Sequence, residues 1–131
     1  MKMIVSDYFK NTDGMGVLAT AASSGKVNAA IYGRPHFIDD ETIAFIMADR
    51  LTHANLQANE SAVYLFRESG ERYVGRRLYL TKTGETDDPK LIEEIRSRPS
   101  HGDHPRDSQD KKYLVSFHID RVLPLIGDTV T

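Results

Sequence analysis

The stretch Thr42-Ile43-Ala44-Phe45-Ile46-Met47-Ala48-Asp49-Arg50-Leu51-Thr52-His53-Ala54-Asn55-Leu56 runs from an apolar strand into a short helix. Residues 42–48 are apolar at both alternating sets of positions, which indicates a strand covered on both faces. Thr52 has the side chain of an N-cap, and Leu51 and Leu56 stand at the two positions of a hydrophobic staple. We therefore expect a helix that is capped by Thr52 and ends near Asn59. In so short a chain, the doubly covered strand also suggests that one face lies in a subunit interface.

Strand-like runs flank this stretch on both sides. Residues 15–22 and 27–33 enclose the turn Ser23-Ser24-Gly25-Lys26 and predict a hairpin. Asp88 followed by Pro89 predicts the start of a second helix, because the pair supplies a cap and a preset φ angle. Further strand-like runs cover residues 61–67, 76–83 and 113–119. Short strands with hairpin-length turns predict one mainly β (α+β) domain over residues 1–131, a small antiparallel barrel with short flanking helices.

The composition excludes several classes of partner and of chemistry. The chain has 131 residues, and 17 Lys plus Arg against 19 Asp plus Glu give a net charge of −2. Proteins that bind duplex nucleic acid usually carry a basic excess, so we expect no nucleic acid partner. No apolar run approaches the roughly 20 residues that span a bilayer, and no signal peptide is visible, which predicts a cytoplasmic protein without a membrane partner. Cysteine is absent, so thiolate chemistry is excluded and redox chemistry would need a bound cofactor.

The predicted helix start is a candidate anion site. A helix N-terminus offers unpaired N–H groups and the positive end of the helix dipole. Thr52 adds a hydroxyl donor, Arg50 a permanent charge, and His53 a charge that depends on protonation. The alternative interpretation is that Thr52 only caps the helix and that Arg50 is solvated.

Residues Asn28-Ala29-Ala30 form a second candidate site. Two consecutive alanines leave space above the sheet, and Asn28 presents both donor and acceptor groups. A flat ring fits there and would use main-chain groups. The alternative is close packing of small residues against a neighbouring strand.

Other polar groups are weaker candidates. His101-Gly102-Asp103-His104 has the spacing of metal ligands but lies in a polar segment, residues 98–112, that we interpret as a mobile excursion, so we expect no metal site. The acids within residues 39–41 and 85–88 are interpreted as solvated turns. A basic cluster interleaved with aromatic residues either holds an anionic substrate or forms the outward face of a hairpin; it comprises Arg67, Arg72, Arg76 and Arg77. Candidate acid–base groups are His36, His53 and Tyr73, and the sequence assigns none of them a catalytic role.

The order of these segments resembles the pyridoxamine 5′-phosphate oxidase-like FMN-binding split-barrel superfamily. The resemblance rests on Val27-Asn28-Ala29-Ala30, the apolar strand 43–48, the run 50–56 and Asn59-Glu60-Ser61-Ala62-Val63. It extends from Met15 to Ile126 and is greatest with the small FMN-binding proteins. It implies a split barrel that works as a homodimer and holds FMN between its subunits. The implied contacts are Asn28, Ala29 and Ala30 with the isoalloxazine and ribityl, Ile46, Met47 and Ala48 beneath the ring, and Arg50, Leu51, Thr52 and Asn55 around the phosphate.

The sequence departs from this family in two places. Arg50-Leu51-Thr52 stands where many members have Ser-Arg-Lys, so a lysine contact is missing. The Arg- and Trp-bearing C-terminal segment of the true oxidases is also missing, so we do not expect vitamin B6 oxidation. The resemblance implies a flavin-dependent oxidoreductase with NAD(P)H or a small molecule as redox partner. The alternatives are an electron carrier without a dedicated substrate, and a split barrel that has lost flavin and binds haem or another cofactor.

Overall fold

Seven strands form one antiparallel sheet that curls into half a barrel in a computed structural model, which describes residues 5–97 and 110–128. The strands are β1 (Gly14–Ala21), β2 (Val27–Tyr32), β3 (His36–Phe37), β4 (Thr42–Ala48), β5 (Ser61–Glu68), β6 (Gly75–Thr86) and β7 (Lys112–Pro124). The helices are α1 (Val5–Lys10), α2 (Leu51–Ala58) and α3 (Pro89–Arg96). The strand order β2-β1-β5-β6-β7-β4-β3 leaves β2 and β3 at the edges. The predicted mainly β split barrel with short flanking helices is confirmed.

The alternation of the strands decides which side chains enter the core. In β5, Tyr64 and Phe66 are buried, whereas Val63 and Leu65 point to the other face. These rings meet Phe45 of β4 and Phe9 of α1, which closes one end of the barrel. The core is therefore aromatic, and its edge-to-face and tilted ring contacts add directional attraction to simple burial.

The first hairpin has the predicted turn. The N–H of Ala22 donates to the carbonyl of Lys26 at 2.8 Å, and Gly25 takes a φ of 91°. Glycine reaches this region without strain, which is why it occupies the turn. The turn pairs Ala21 with Val27 and Ala19 with Ala29, and it thereby fixes the register of β2 against β1.

Strand β4 is covered on both faces, as its sequence predicted, but within one chain. Phe45 and Met47 point into the barrel core. On the other face, Ala44 and Ile46 pack against a cluster to which α3 contributes Ile92 and Ile95 and β7 contributes Leu114. The covered strand is thus explained by α3 and does not require a subunit interface.

Helix α3 begins where the sequence predicted. The Asp88 carboxylate accepts a hydrogen bond from the N–H of Lys90 at 3.0 Å, and Pro89 is the first helical residue. No helix within the described residues is long and apolar enough to cross a membrane. The run His101-Gly102-Asp103-His104 and most of the expected 98–112 excursion lie outside the described residues.

Gly16 packs closely against a core side chain. A Cβ added there would fall on the Tyr64 hydroxyl, which donates a hydrogen bond to the carbonyl of Gly33 at 2.9 Å. We expect Gly16→Ala to lower the free energy of unfolding by about 1–3 kcal/mol, because the buried ring must shift. Gly84→Ala is the matched control, since nothing lies within 4 Å of its added Cβ. Urea unfolding measures both variants, and equal stability of the two would contradict the packing.

Candidate functional site

Helix α2 begins at the end of β4 without a side-chain cap. The N–H of Arg50 donates to the carbonyl of Ala48 at 2.9 Å, and this tight turn directs the chain into the helix. The N-cap is therefore Arg50, in an extended conformation, and no side chain caps the helix. The prediction that Thr52 is the N-cap is wrong, as is the staple of Leu51 with Leu56, since Leu51 is exposed and Leu56 is buried.

The uncapped start of α2 faces polar side chains of β2. Thr52 is the second residue of α2 and is buried, and its Oγ1 accepts a hydrogen bond from Asn28 Nδ2 at 3.5 Å. The Tyr32 hydroxyl also interacts with the Thr52 side chain, which acts to lower the pKa of Tyr32. Burial raises the pKa of Tyr32 more than Thr52 and Arg50 lower it, so its hydroxyl keeps its proton. We call Asn28, Tyr32, Arg50 and Thr52 the donor corner.

Arg50 brings a permanent positive charge to the donor corner. Its guanidinium acts electrostatically on Tyr32 and is 72% exposed. It forms a surface ion pair with Asp110, with 3.3 Å between Nη2 and Oδ2. Exposed pairs of this kind contribute little stability, so Arg50 can exchange this carboxylate for another anion at small cost.

The alternation of β2 divides the predicted ring site. Asn28 and Ala30 share the face of Tyr32, which points toward the helix. Ala29 lies on the opposite, exposed face together with Val27. A ring beside the donor corner can therefore meet the side chains of Asn28 and Ala30, and Ala29 only through its main chain.

The predicted ring contacts at the end of β4 are divided in the same way. The side chain of Met47 belongs to the barrel core, whereas Ile46 packs on the α3 side of the strand. Ala48 follows on the Ile46 face and leads directly into Arg50. Met47 and Ile46 thus point in opposite directions, and their side chains cannot meet the same face of one ring.

Asn55 lies on the face of α2 that contacts the sheet, one turn beyond the start of the helix. It is buried, and its Nδ2 donates to the Thr20 hydroxyl of β1 at 3.1 Å. Its carbonyl accepts from the N–H of Asn59, which ends the helix where the sequence predicted. The hydrogen bond between Asn55 and Thr20 fixes α2 on β1. The phosphate contact predicted for Asn55 stays a prediction.

His53 faces carboxylates and does not belong to the donor corner. Its Nδ1 lies 2.9 Å from Asp49 Oδ1, and its Nε2 lies 3.1 Å from Glu85 Oε2. The ring also stacks on Tyr113, with 4.2 Å between centroids. The interpretation of Glu85 as part of a solvated turn is wrong, because Glu85 reaches back from β6 to the helix.

The remaining candidate residues do not form one site. The basic cluster is divided, since Arg67 lies over Tyr73, Arg76 lies over Tyr8 of α1, and Arg77 bonds the carbonyl of Pro124. The acid–base candidates belong to separate elements: His36 to β3, His53 to α2 and Tyr73 to the loop before β6. Within residues 5–97 and 110–128, no group of three or more His, Asp or Glu is placed to hold a metal ion.

Two functional features were missed in the sequence. Tyr32 follows Asn28 by four residues, and the period of two places both on one face, so the signal was present. The partnership of His53 with Glu85 spans 32 residues, and no local pattern indicates it. The donor corner can bind an anion, and the small side chain of Ala30 leaves room beside it for a flat group.

No family model matches the chain, and no curated protein matches it either. Several solved structures match the chain. HupZ of Group A Streptococcus aligns with 100% of this chain and 98% of its own at 18% identity and a TM-score of 0.71. An FMN-binding protein of Syntrophomonas wolfei aligns over 95% and 82% at 21% identity, with a TM-score of 0.67. A Clostridium acetobutylicum protein of the pyridoxinephosphate oxidase family aligns over 92% and 85% at 15% identity, with a TM-score of 0.65. The chain therefore shares its fold with these three proteins.

Glu85 should make the stability of the fold depend on acid pH. Burial raises its pKa, but hydrogen bonds from Lys82, Gln57 and His53 outweigh burial and lower the pKa from 4.5 to about 2. A carboxylate with a lowered pKa stabilises the fold at pH values above the pKa that it has in the unfolded chain. This contribution is lost as the pH falls from about 4.5 to about 2. The contribution is at most about 3 kcal/mol.

We expect Glu85→Gln to lose less stability than the unchanged protein when pH falls through this window. Chemical unfolding at several pH values measures the difference. Glu94→Gln, an exposed position on α3, is the control and should follow the unchanged protein. An unaltered acid slope in Glu85→Gln would show that its carboxylate is not held in this way.

Proposed function

We propose that this chain binds FMN noncovalently, with the phosphate at the donor corner and the ring beside β2, and that it is a flavin-dependent oxidoreductase. The observation that supports the proposal best is the convergence of Asn28, Tyr32, Arg50 and Thr52 at a helix start that no side chain caps. The FMN-binding protein with the same fold supports the choice of cofactor.

The donor corner fits a phosphate monoester chemically. Ionised phosphate oxygens only accept hydrogen bonds, and the hydroxyls of Thr52 and Tyr32 and the amide of Asn28 can all donate. The first N–H groups of α2 and its dipole add to the attraction. Arg50 supplies a forked cation two residues before the position at which many family members carry lysine, and a guanidinium suits phosphate geometry well.

The protein's part would be to bind and orient the cofactor. FMN supplies the electron or hydride transfer, and the chain supplies its position and its electrostatic surroundings. The alternation of β2 would place Asn28 and Ala30 against the ring and ribityl, and Leu51 would border the phosphate from an exposed position. The proposed redox partner is NAD(P)H or a small molecule.

We also propose that the working unit is a homodimer joined through the outer face of β2, β1 and β5. Val27 is 82% exposed, Ile31 58% and Met15 54%. Val17 lies between them in the sheet, paired with Ile31 on one side and Leu65 on the other. A continuous apolar sheet face is typical of an interface, and an identical face on a second copy can match it through two-fold symmetry. The partner would then lie directly behind the strand that carries Asn28 and Tyr32.

The first prediction concerns cofactor affinity. The purified protein should take up FMN and turn yellow, and Arg50→Ala should weaken binding about tenfold because a charge-assisted hydrogen bond is lost. Thr52→Val keeps the shape of the side chain and should weaken binding about three- to tenfold. Fluorescence titration of FMN measures both affinities.

The controls are Arg96→Ala on α3 and Thr83→Val at an exposed position of β6, which should bind FMN normally. Colourless protein that takes up no FMN would contradict the proposal. Unchanged affinity in both test variants would place the phosphate elsewhere. If FMN binds, reduction of the bound flavin by NADH or NADPH, followed by turnover with an acceptor, separates an enzyme from an electron carrier.

The second prediction concerns the dimer. Ile31→Asp places a charge in the apolar face, so it should convert the dimer into a monomer. Leu91→Asp, on the exposed side of α3, is the matched control and should leave the dimer intact. Sedimentation equilibrium distinguishes these states. A monomeric unchanged protein, or a dimeric Ile31→Asp variant, would show that this face is not the interface.

A further inference from the structure

His53 is a buried titratable group that the proposed cofactor contacts leave unused. It is only 6% exposed, although it directly follows Thr52 of the donor corner. Its two ring nitrogens reach carboxylates on opposite sides, Asp49 at 2.9 Å and Glu85 at 3.1 Å. A buried side chain with two such partners constrains whatever element carries it.

The contacts of His53 join the start of α2 to two strands. Asp49 immediately precedes the N-cap Arg50, and Glu85 belongs to β6. Tyr113 of β7 stacks on the ring with an interplanar angle of 18°. An eight-residue helix with no side-chain cap is not stable by itself, so tertiary contacts of this kind fix its position.

Glu85 is itself held firmly enough to act as an anchor. Lys82 Nζ donates to Glu85 Oε1 at 2.8 Å and to the carbonyl of Leu56 at 3.3 Å. Gln57 Nε2 donates to the same carboxylate oxygen at 2.8 Å. These bonds connect the carboxylate to the second half of α2, while His53 connects it to the first turn.

Both ring nitrogens of His53 have carboxylate oxygens within hydrogen-bond distance, Asp49 at Nδ1 and Glu85 at Nε2. Gln57 Nε2 also lies 3.0 Å from His53 Nε2, and it donates to Glu85 Oε1 at 2.8 Å. The ring therefore connects Asp49 with Glu85 directly or through the Gln57 amide.

Among the described residues, the charged groups around the ring come from several elements. Asp49 comes from the β4–α2 junction, and Lys82 and Glu85 come from β6. On the β7 side, Tyr113 separates the ring from Lys111, whose Nζ lies 5.4 Å from the Tyr113 ring centroid. The two carboxylates touch His53 directly, whereas Lys82 acts through Glu85.

We propose that His53, which bridges Asp49 and Glu85, is a positioning residue that holds Thr52 and Arg50 in place for the phosphate of FMN. The inference rests on the proposed function. Removal of the ring would break the connection between the two carboxylates and loosen the first turn of α2. Phosphate affinity would then depend on a side chain that never touches the ligand.

The test compares FMN affinity in the unchanged protein and in His53→Gln. His53→Gln should bind FMN about tenfold more weakly or worse, because the start of α2 loses its connection to β6.

His118→Gln is the matched control. His118 also pairs with an aspartate, with 2.8 Å between Nδ1 and Asp120 Oδ1, but it is an exposed residue of β7. It should leave the FMN affinity unchanged. Equal FMN affinity in the unchanged protein and in His53→Gln would overturn the proposal.

A second measurement needs no cofactor. In ligand-free protein, the amides of residues 51–58 should exchange faster in His53→Gln and in Asp49→Asn than in the unchanged protein. The amides of β1 and β5 should exchange at the same rate in all three proteins. Asp49 is 67% exposed at its side chain, so Asp49→Asn should still fold. Equal protection of α2 in all three proteins would overturn the positioning role. Weak FMN binding by the unchanged protein, together with the expected exchange, would instead contradict the proposed function alone.

Discussion

The start of α2 is fixed by side chains that cross to other elements, and the donor corner depends on this constraint. The helix has eight residues and no side-chain cap, so its own hydrogen bonds do not determine where it sits. Asn55 ties it to Thr20 of β1, and His53 ties it to Glu85 of β6. Because these bonds act from opposite sides of the helix, they restrict its rotation as well as its distance from the sheet.

Burial makes these polar contacts costly to break. A buried donor or acceptor that loses its partner costs about 1–3 kcal/mol, and a charged one costs more. Asn55 and Thr20 are both buried, so neither can turn to water when the other is removed. The surface pair of Arg50 with Asp110 is different, since water replaces either partner readily. The frame of the corner is therefore rigid, while its one permanent cation remains available.

Features encoded by neighbouring residues could be predicted from the sequence, and features that join distant segments could not. The Asp88-Pro89 helix start and the 23–26 turn are local, and both predictions are confirmed. Thr52 failed as an N-cap because the turn between Ala48 and Arg50 starts the helix earlier, which residue preferences alone do not indicate. Glu85 was assigned to a solvated turn because its partner in α2 lies far away in the sequence. The outer cover of β4 was missed for the same reason, since α3 follows much later in the chain.

Strand β2 carries both proposed surfaces, and one register decides them together. Asn28 and Tyr32 face α2, whereas Val27 and Ile31 face outward. A slip of one residue against β1 would exchange the two sets, turning apolar side chains toward Thr52 and polar ones toward a second copy. The 23–26 turn and the Tyr64 hydroxyl, which bonds the carbonyl of Tyr32, oppose that slip. A tight turn remote from α2 thus determines which side chains would reach the phosphate, and the proposed cofactor site and the proposed dimer face would be two consequences of the same strand pairing.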